Sequence, residues 1–556
     1  MHKVSEKNYL NWTPLWSILD NSDPATSITW SAHLLDINID WDDYRAMIDY
    51  GAYNGTPLVC WKNSDLPIDP KTWYPMDPKS IWAFILTHTH NDHVGRVPRL
   101  VWSGYDNDIH LTSKAHQIFD AVMNDSLYVS LKEVERQNKI IDEKRKTLWS
   151  ILNKAFSTRD LVTLNRYGIT RNCDIKEILD REIWSFLEPI YTEQDLKKTF
   201  GQLKWCDYYT SWSKAQMFNL FNWNDLVRGR FIDAGHIYWS TMTLIELRKP
   251  NKSKIFNILC TWDLGRLGNR IYWDDPYFNP IRKPIDLLFT ETTYGWRNHP
   301  EITWEISKME QSINNTFWRW WQVLINCFSQ TRQQEMLRYL IDSTESEEEW
   351  SIPKDTKIVF DSPLGEKILY QMSLTDPEYA RVLKHPNIIR AKGKEAEEIL
   401  KQKLPKHVFL MSGGMLQWGT AMKLIHYFDK NRKIDKNSKW AADEYQYKDI
   451  AHKWLVIMSW FTPSYTVWYK VANDPNSFNS LSIKLSSHAD HDDIVDFITN
   501  KDGVSGVELR DNAKICMMHG SLDSMYAIKK SLEDAGLDPN NIIIPSSVGK
   551  TFRFKI

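Results

Sequence analysis

The chain has 556 residues, of which 42% are hydrophobic and 25% charged, and its formal net charge is −2. This length exceeds what one hydrophobic core supports, so two or three domains are expected, and the near-neutral charge excludes binding of polyanions through overall charge. Any nucleic-acid binding must then come from a local basic groove or from bound metals. The six scattered cysteines and the lack of an apolar leader or membrane-length apolar run predict a cytoplasmic protein.

In chain order, the pattern predicts an α/β protein with three segments. Residues 1–300 alternate short apolar runs with turns, except near 132–187, where a charged, helix-period sequence predicts a helical insertion. Residues 301–478 alternate helices and strands in the rhythm of βαβ units, which predicts a second α/β domain. Residues 479–556 return to strand-like sequence, and strands are expected at 81–86, 109–112, 231–248, 255–260, 285–290, 481–488 and 513–519.

The most informative motif is the run Thr87-His88-Thr89-His90-Asn91-Asp92-His93, directly after the apolar segment Ile81–Leu86. In an extended segment His88 and His90 point the same way, because side chains alternate with period two. A turn through Asn91 then lets Asp92 and His93 face a second metal. The spacing therefore indicates a two-metal hydrolytic site, and the alternative is a polar surface loop.

Three further ligand-type residues each follow an apolar run elsewhere in the chain. They are His236, Asp263 and His519. Taken singly, each reads as a structural or surface residue. Their joint appearance after strand-like segments supplies the additional ligands that a dinuclear site needs.

Together these motifs resemble the metallo-β-lactamase-fold hydrolases of the β-CASP branch, RNA-processing nucleases that include the cleavage-and-polyadenylation endonuclease and RNase J. The histidine-rich run matches the family's second motif, and six single residues match the others. These are Asp49 for the first motif, His236 for the third, Asp263 for the fourth, Glu291 for motif A, His488 for motif B and His519 for motif C. The resemblance implies an αββα sandwich of residues 1–300 and 479–556, with an inserted β-CASP domain over 301–478.

The resemblance also implies a role for each matched residue. One Zn²⁺ would be held by His88, His90 and His236, and the other by Asp92, His93 and His519, with Asp263 bridging them; Mn²⁺ is the alternative metal. Asp49 would support the ligand loop from behind. A water activated by both metals would be the nucleophile. His488, kept protonated by Glu291, would be the general acid.

The expected substrate is single-stranded RNA, because a histidine at motif C accompanies the RNA-processing members of the family. Ser412, Gly413 and Gly414 resemble a family loop whose N–H groups would cradle a phosphate. Arg332, with Phe328 in an F-x-x-x-R segment, is either a phosphate ligand or a structural salt bridge. We expect an endoribonuclease, with 5′ exonuclease activity as a further option and a homodimer as the assembly; a small ester or lactam hydrolase and a non-catalytic RNA-processing scaffold are the alternatives.

One departure from the family pattern concerns tryptophan. The chain has 27 Trp and only 21 Gly, whereas average usage of about 7% would give roughly 39 Gly. Nine tryptophans fall where the family has glycine: Trp16, Trp30, Trp239, Trp262, Trp320, Trp321, Trp418, Trp460 and Trp468. Our hypothesis is that these codons are UGA, decoded as glycine in the source lineage; the alternative is a genuine enrichment in tryptophan.

Overall fold

A computed structural model describes most of the chain. The described residues are 8–16, 31–52, 75–167, 187–207, 216–221, 224–250, 254–266, 281–319, 321–402, 404–413, 419–429, 454–459, 467–501, 503, 506–545 and 550–556. The expected α/β class is confirmed, because both helices and mixed sheets are present. Within these residues, none of the helices combines the length and apolarity needed to cross a bilayer.

Two seven-stranded sheets carry most of the strands. The first has the order β20-β1-β2-β3-β4-β5-β6, and the second has the order β19-β18-β11-β10-β9-β8-β7. The first sheet consists of β1 (Tyr9–Trp16), β2 (Ala32–Ile39), β3 (Asp42–Ile48), β4 (Ala83–Ile85), β5 (Ile109–Thr112), β6 (Leu203–Cys206) and β20 (Phe552–Lys555). The second consists of β7 (Met217–Phe221), β8 (Asn224–Asp233), β9 (Thr241–Arg248), β10 (Ile255–Cys260), β11 (Ile281–Glu291), β18 (Val507–Met518) and β19 (Ile542–Ile543).

The two sheets pack face to face around one shared apolar core. Trp12 of the first sheet and Phe289 of the second meet in it, with ring centroids 4.8 Å apart. Helices cover the outer face of each sheet, and their apolar sides pack on it. Those on the first sheet are α1 (Asn91–Val94), α2 (Val97–Trp102), the start of α3 (Ser113–Thr158) and α5 (Glu193–Gln202), whereas α13 (His491–Thr499) and α14 (Leu522–Asp534) lie on the second. The order of layers is therefore helix, sheet, sheet, helix.

A third sheet is wholly parallel, with the order β14-β13-β15-β12-β16-β17. Its strands are β12 (Gln322–Asn326), β13 (Lys357–Asp361), β14 (Ile388–Arg390), β15 (His407–Met411), β16 (Trp454–Met458) and β17 (Ser480–Ser482). Its helices are α6 (Ile302–Trp318), α7 (Arg332–Glu345), α8 (Pro363–Ser373), α9 (Pro377–Leu383), α10 (Lys394–Lys401), α11 (Gly419–Phe428) and α12 (Val467–Asn473). Apolar clusters lie on both faces of this sheet, as parallel sheets require. In sequence the whole unit lies between β11 and β18, which are neighbours in the second sheet.

Two expectations from the sequence differ from the structure. The helical segment begins at Ser113, well before the expected start near 132, and continues through α4 (Leu161–Tyr167); residues 168–186 lie outside the described part. The strand expected over 481–488 is wrong beyond Ser482. The chain there leaves the third sheet, and His488 forms only an isolated bridge with Gly265. This path places His488 next to the loop that follows β10 of the second sheet.

Candidate metal centre

The histidine-rich run lies at the carboxyl end of β4, where the chain leaves the first sheet and turns into α1. The short helix is fixed from below by the end of β3, since the Tyr50 N–H donates to the His93 carbonyl at 2.8 Å. A Cβ on Gly51 would come within 1.6 Å of the Asp92 carbonyl oxygen, so only glycine permits this approach. The loop that carries the ligands therefore packs against the end of a neighbouring strand and is not held by solvent contacts alone.

One group of ligand-type atoms consists of His88, His90, His236 and Asp263. His90 Nδ1 lies 3.1 Å from His88 Nε2 and 3.3 Å from His236 Nε2. Asp263 Oδ2 lies 3.5 Å from both His88 Nε2 and His236 Nε2. Atoms that bind one tetrahedral ion at about 2.0–2.1 Å lie about 3.3 Å from one another. The spacing of this group therefore fits the coordination shell of a single ion.

A second group consists of Asp92, His93 and His519, and Asp263 lies between it and the first. Asp263 Oδ2 is 3.3 Å from His93 Nε2, and Asp263 Oδ1 is 3.5 Å from His519 Nδ1. Oδ1 is buried and has no hydrogen-bond partner among the described residues. Because a buried carboxylate oxygen without a partner is costly, the donor set fits two cations that share this carboxylate.

The pKa values of the three histidines in the first group agree with a cation site. Burial lowers the pKa of His90 to about 4 and lowers the pKa of His88 and of His236, so these imidazoles are neutral at pH 7. The neutral ring is the form that binds a metal. Burial also lowers the pKa of His93, but the carboxylates of Asp263 and Asp49 outweigh it and raise that pKa above its ordinary value.

Asp49 follows β3 and holds the ligand loop from behind. Its Oδ2 is 2.6 Å from His93 Nδ1 and accepts a hydrogen bond from Thr87 Oγ1 at 2.8 Å, while Oδ1 accepts from the Thr87 N–H at 3.0 Å. A carboxylate on the far nitrogen of a ligating histidine fixes the ring orientation and tautomer. Thr87, which sequence reasoning did not select, completes this contact.

Two glycines allow the loops of His236 and Asp263 to approach each other. A Cβ on Gly265 would come within 2.0 Å of the Gly235 carbonyl carbon, and Gly235 has a φ of +68°. Trp239 and Trp262 in the same loops have φ values of 72° and 51°, in the left-handed region that favours glycine. The backbone at these two positions therefore has the conformation expected of glycine.

The other seven tryptophans at family glycine positions carry less information. Trp321 is described and has no positive φ, Trp16 ends β1 and Trp468 lies in α12, and Trp30, Trp320, Trp418 and Trp460 lie outside the described residues. A tryptophan outside the nine has the clearest glycine conformation. Asp40 and Trp41, the two residues joining β2 to β3, have φ values of 52° and 80°, the pattern of a hairpin turn that prefers Asp-Gly.

His488 and Glu291 form a buried pair next to the first group. His488 Nδ1 lies 3.1 Å and 3.2 Å from the two carboxylate oxygens of Glu291, and its ring centroid is 4.3 Å from that of His236. Burial lowers the pKa of His488, but Glu291, followed by Asp263 and Asp92, raises it to about 9. The Leu264 N–H donates to Glu291 Oε1 at 2.5 Å and fixes that carboxylate. The contact with Glu291 therefore favours the protonated imidazole beside the ligand groups.

The residues expected to bind phosphate lie in the third unit. Ser412 and Gly413 follow β15 at the carboxyl edge of the parallel sheet, and Gly414 lies outside the described residues. Arg332, at the start of α7, is only 3% exposed. Its Nη1 lies 2.7 Å from Glu335 Oε2 and its Nη2 donates to Ser487 Oγ at 2.7 Å. The salt bridge that the sequence left open is therefore present, and phosphate contact by these residues stays a prediction.

Comparisons with known proteins point to one group of enzymes, although no family model matches the chain. It is 22% identical over 427 residues to "Ribonuclease TTHA0252" of Thermus thermophilus, covering 74% of this chain and 76% of that protein. It is 32% identical over 154 residues to "Endoribonuclease YSH1" of Gibberella zeae, covering 28% and 16%. It is 23% identical over 365 residues to "Endoribonuclease ysh1" of Schizosaccharomyces pombe, covering 62% and 41%. The chain thus spans less than half the length of these two endoribonucleases, and the resemblance to β-CASP metallo-β-lactamase-fold ribonucleases that its motifs indicate is confirmed.

Proposed function

We propose that this chain is a metal-dependent ribonuclease that hydrolyses phosphodiester bonds of single-stranded RNA. One observation carries the proposal: three histidines and a shared aspartate with coordination spacing lie beside a histidine that pairs with a buried glutamate. Relatives named as ribonucleases and endoribonucleases support RNA as the substrate. A lactam or ester hydrolase would have no use for a third unit between β11 and β18 or for the pair His488–Glu291.

Two zinc ions are the cofactors we propose, with Mn²⁺ as the alternative metal. His88, His90 and His236 would hold one, Asp92, His93 and His519 the other, and Asp263 both. Bound there, the ions would neutralise charge on the scissile phosphate and lower the pKa of an attacking water. Histidine and carboxylate ligands fit Zn²⁺.

The protein's own residues supply orientation and a proton. His488 would donate its proton to the leaving oxygen, since the carboxylate of Glu291 keeps the ring charged until the bond breaks. Glu291 is held in turn by the Leu264 N–H, next to Asp263 in sequence. Asp49 would keep His93 in the orientation that binds metal.

The third unit corresponds in this proposal to a β-CASP domain over 301–478, inserted into a metallo-β-lactamase domain formed by 1–300 and 479–556. A strand of RNA would lie between the two, where unpaired nucleotides reach the metals. Ser412, Gly413 and Gly414 would cradle a phosphate through their N–H groups. A homodimer is part of the proposal, and light scattering on a sizing column measures it.

The decisive experiment combines metal analysis with cleavage of labelled RNA. The purified protein is expected to bind two zinc ions and to cleave single-stranded RNA, and a chelator should abolish cleavage until Zn²⁺ or Mn²⁺ is restored. His488→Ala is the matched control, because it should retain both metals and lose activity. Hydrolysis of a chromogenic ester or lactam without RNA cleavage would overturn the proposal in favour of a small-molecule hydrolase, and two bound metals with neither activity would favour a scaffold.

The mode of cleavage is tested with RNAs that carry a 5′-monophosphate or a 5′-hydroxyl. An endonuclease should yield the same internal fragments from both substrates. Release of mononucleotides alone, and only from the phosphorylated RNA, would show 5′ exonuclease action and refute the endonuclease proposal. A circular RNA, which has no end, makes the distinction independent of end chemistry.

A further inference from the structure

Three consecutive residues of the third unit contact three separate loops of the candidate metal centre. They are Gln330, Thr331 and Arg332, at the entry to α7. Each bonds a residue next to, or near, a proposed ligand or acid. The partners lie 241, 93 and 155 residues away in sequence, so the contacts join distant parts of the chain.

Gln330 has the most specific of these contacts. Thr89 Oγ1 donates to Gln330 Oε1 at 2.9 Å, and Gln330 Nε2 donates to the Thr89 carbonyl at 3.1 Å. Thr89 is 2% exposed and lies between His88 and His90 in sequence. A side-chain amide that both donates to and accepts from one residue fixes its position and its rotation. The residue between His88 and His90 is therefore held by a side chain of the third unit.

The next two residues reach the other loops. Thr331 Oγ1 accepts a hydrogen bond from the Tyr238 N–H at 3.3 Å, two residues after His236. Arg332 Nη2 donates to Ser487 Oγ at 2.7 Å, immediately before His488. Arg332 is held in place by its buried ion pair with Glu335. The same short segment thus contacts the loops of the first metal group and of the proposed general acid.

The backbone of this segment is strained. Thr331 has φ 60° and ψ −51°, outside the favoured regions for a residue with a β-branched side chain. Such a conformation is unfavourable and persists only where the surroundings over-determine it. Here α7 is buried along nearly its whole length, and the three contacts fix the residue from outside. The strained backbone therefore indicates that contacts outside α7 help to fix the position of this segment.

We propose that residues 330–332 form a positioning clamp, by which the third unit sets the spacing between His88, His90 and His488. The proposal rests on the proposed function, because it assigns metal ligands to the loop that the clamp holds. The clamp touches neither metal nor substrate. Its members are positioning residues, and they act through Thr89, Tyr238 and Ser487. Outer contacts of this kind change metal affinity by about 10–100-fold when they are removed.

The test is a double-mutant cycle across the best-defined contact, with Zn²⁺ affinity measured by competition with a chromophoric chelator. Gln330→Ala and Thr89→Val should each weaken Zn²⁺ binding about tenfold. The double variant should be no weaker than either single variant, because both remove the same contact. Thr89→Ser, which keeps the hydroxyl, should restore the wild-type affinity. Equal Zn²⁺ affinity in wild type and Gln330→Ala, or fully additive losses, would overturn the clamp.

The matched control is Gln322→Ala, at the start of β12 in the same unit. Gln322 Nε2 donates to the Leu404 carbonyl at 3.0 Å, a contact within the third unit that involves none of the three loops. It should lower thermal stability and leave Zn²⁺ affinity unchanged; an equal loss of affinity there would show general destabilisation and refute the proposal. If Gln330→Ala does not fold, Gln330→Glu serves, because it keeps the acceptor for Thr89 Oγ1 and loses the donor. Wild type that binds zinc but cleaves no RNA refutes the proposed function alone, since the affinity cycle is measured without RNA.

Discussion

The sharpest prediction concerns Trp262, immediately before Asp263. We expect Trp262→Gly to be more stable than Trp262→Ala, the reverse of the usual order of these residues. Both variants lose the same indole, which is 2% exposed and packs against His33 with ring centroids 5.0 Å apart. Loss of the indole leaves a similar cavity in both variants, so the difference between their free energies of unfolding reports mainly the backbone conformation at this position. With φ at 51°, only the alanine retains a Cβ that the left-handed conformation disfavours.

The expected difference follows from two opposing contributions. A left-handed conformation costs a residue with a Cβ about 1–2 kcal/mol. Glycine loses about 0.4–1 kcal/mol relative to alanine through the greater freedom of the unfolded chain. The balance favours glycine by about 1 kcal/mol. The indole also leaves its buried Nε1 without a hydrogen-bond partner among the described residues, a cost that both variants remove.

The assay is urea unfolding of both variants, read as the difference in the free energy of unfolding. Trp454 is the matched control, since it is 1% exposed at the start of β16 and has no positive φ. There, Trp454→Ala should be more stable than Trp454→Gly by about 0.5–1 kcal/mol. If alanine is also the more stable residue at Trp262, the argument from the backbone is wrong. UGG codons at the nine family glycine positions would separately refute decoding of UGA as glycine.

Four further measurements test other parts of the structure. Removal of metal by a chelator should lower the melting temperature, since saturation at 100 times the dissociation constant stabilises by about 2.7 kcal/mol, and an unchanged melting temperature would speak against a folded-state metal site. Asp49→Asn should weaken Zn²⁺ binding about 10–100-fold through His93, with equal affinity as the contrary result. Glu291→Gln should slow RNA cleavage about 10²-fold or more while both metals stay bound, and full activity would exclude it as the partner of His488. Trp41→Gly should be more stable than Trp41→Ala in urea by about 1 kcal/mol, because a two-residue turn with two positive φ values favours glycine at its second position.

The local parts of the centre were predictable because each ligand follows an apolar strand. The strand predicted before His88 is present as β4, Asp263 follows β10, and Glu291 is the last residue of β11, as the apolar runs indicate. Such patterns depend on a few neighbouring residues, which the sequence displays directly.

The contacts around those ligands were not predictable in the same way. Gln330 and Thr331 carry no local signal, because their partners come from other sheets and the bonds depend on how the units pack. The strand prediction for Ser486–His488 was wrong for the same reason. The sequence of this segment favours a strand, but hydrogen bonding to the loop after Asp263, in which the Ala489 N–H donates to the Leu264 carbonyl at 2.8 Å, directs it elsewhere.

The position of the third sheet between β11 and β18 has a consequence for synthesis of the protein. These strands are parallel neighbours, yet the ribosome completes the first at Glu291 and begins the second only at Val507. At 5–20 residues per second, the interval is roughly 10 to 40 seconds. During it the second sheet has an open edge; His488 is made only near the end of the interval, and His519 only after it. A nascent chain thus carries most of its metal ligands long before it can acquire its acid, and its pairing of distant strands is expected to limit the rate of folding.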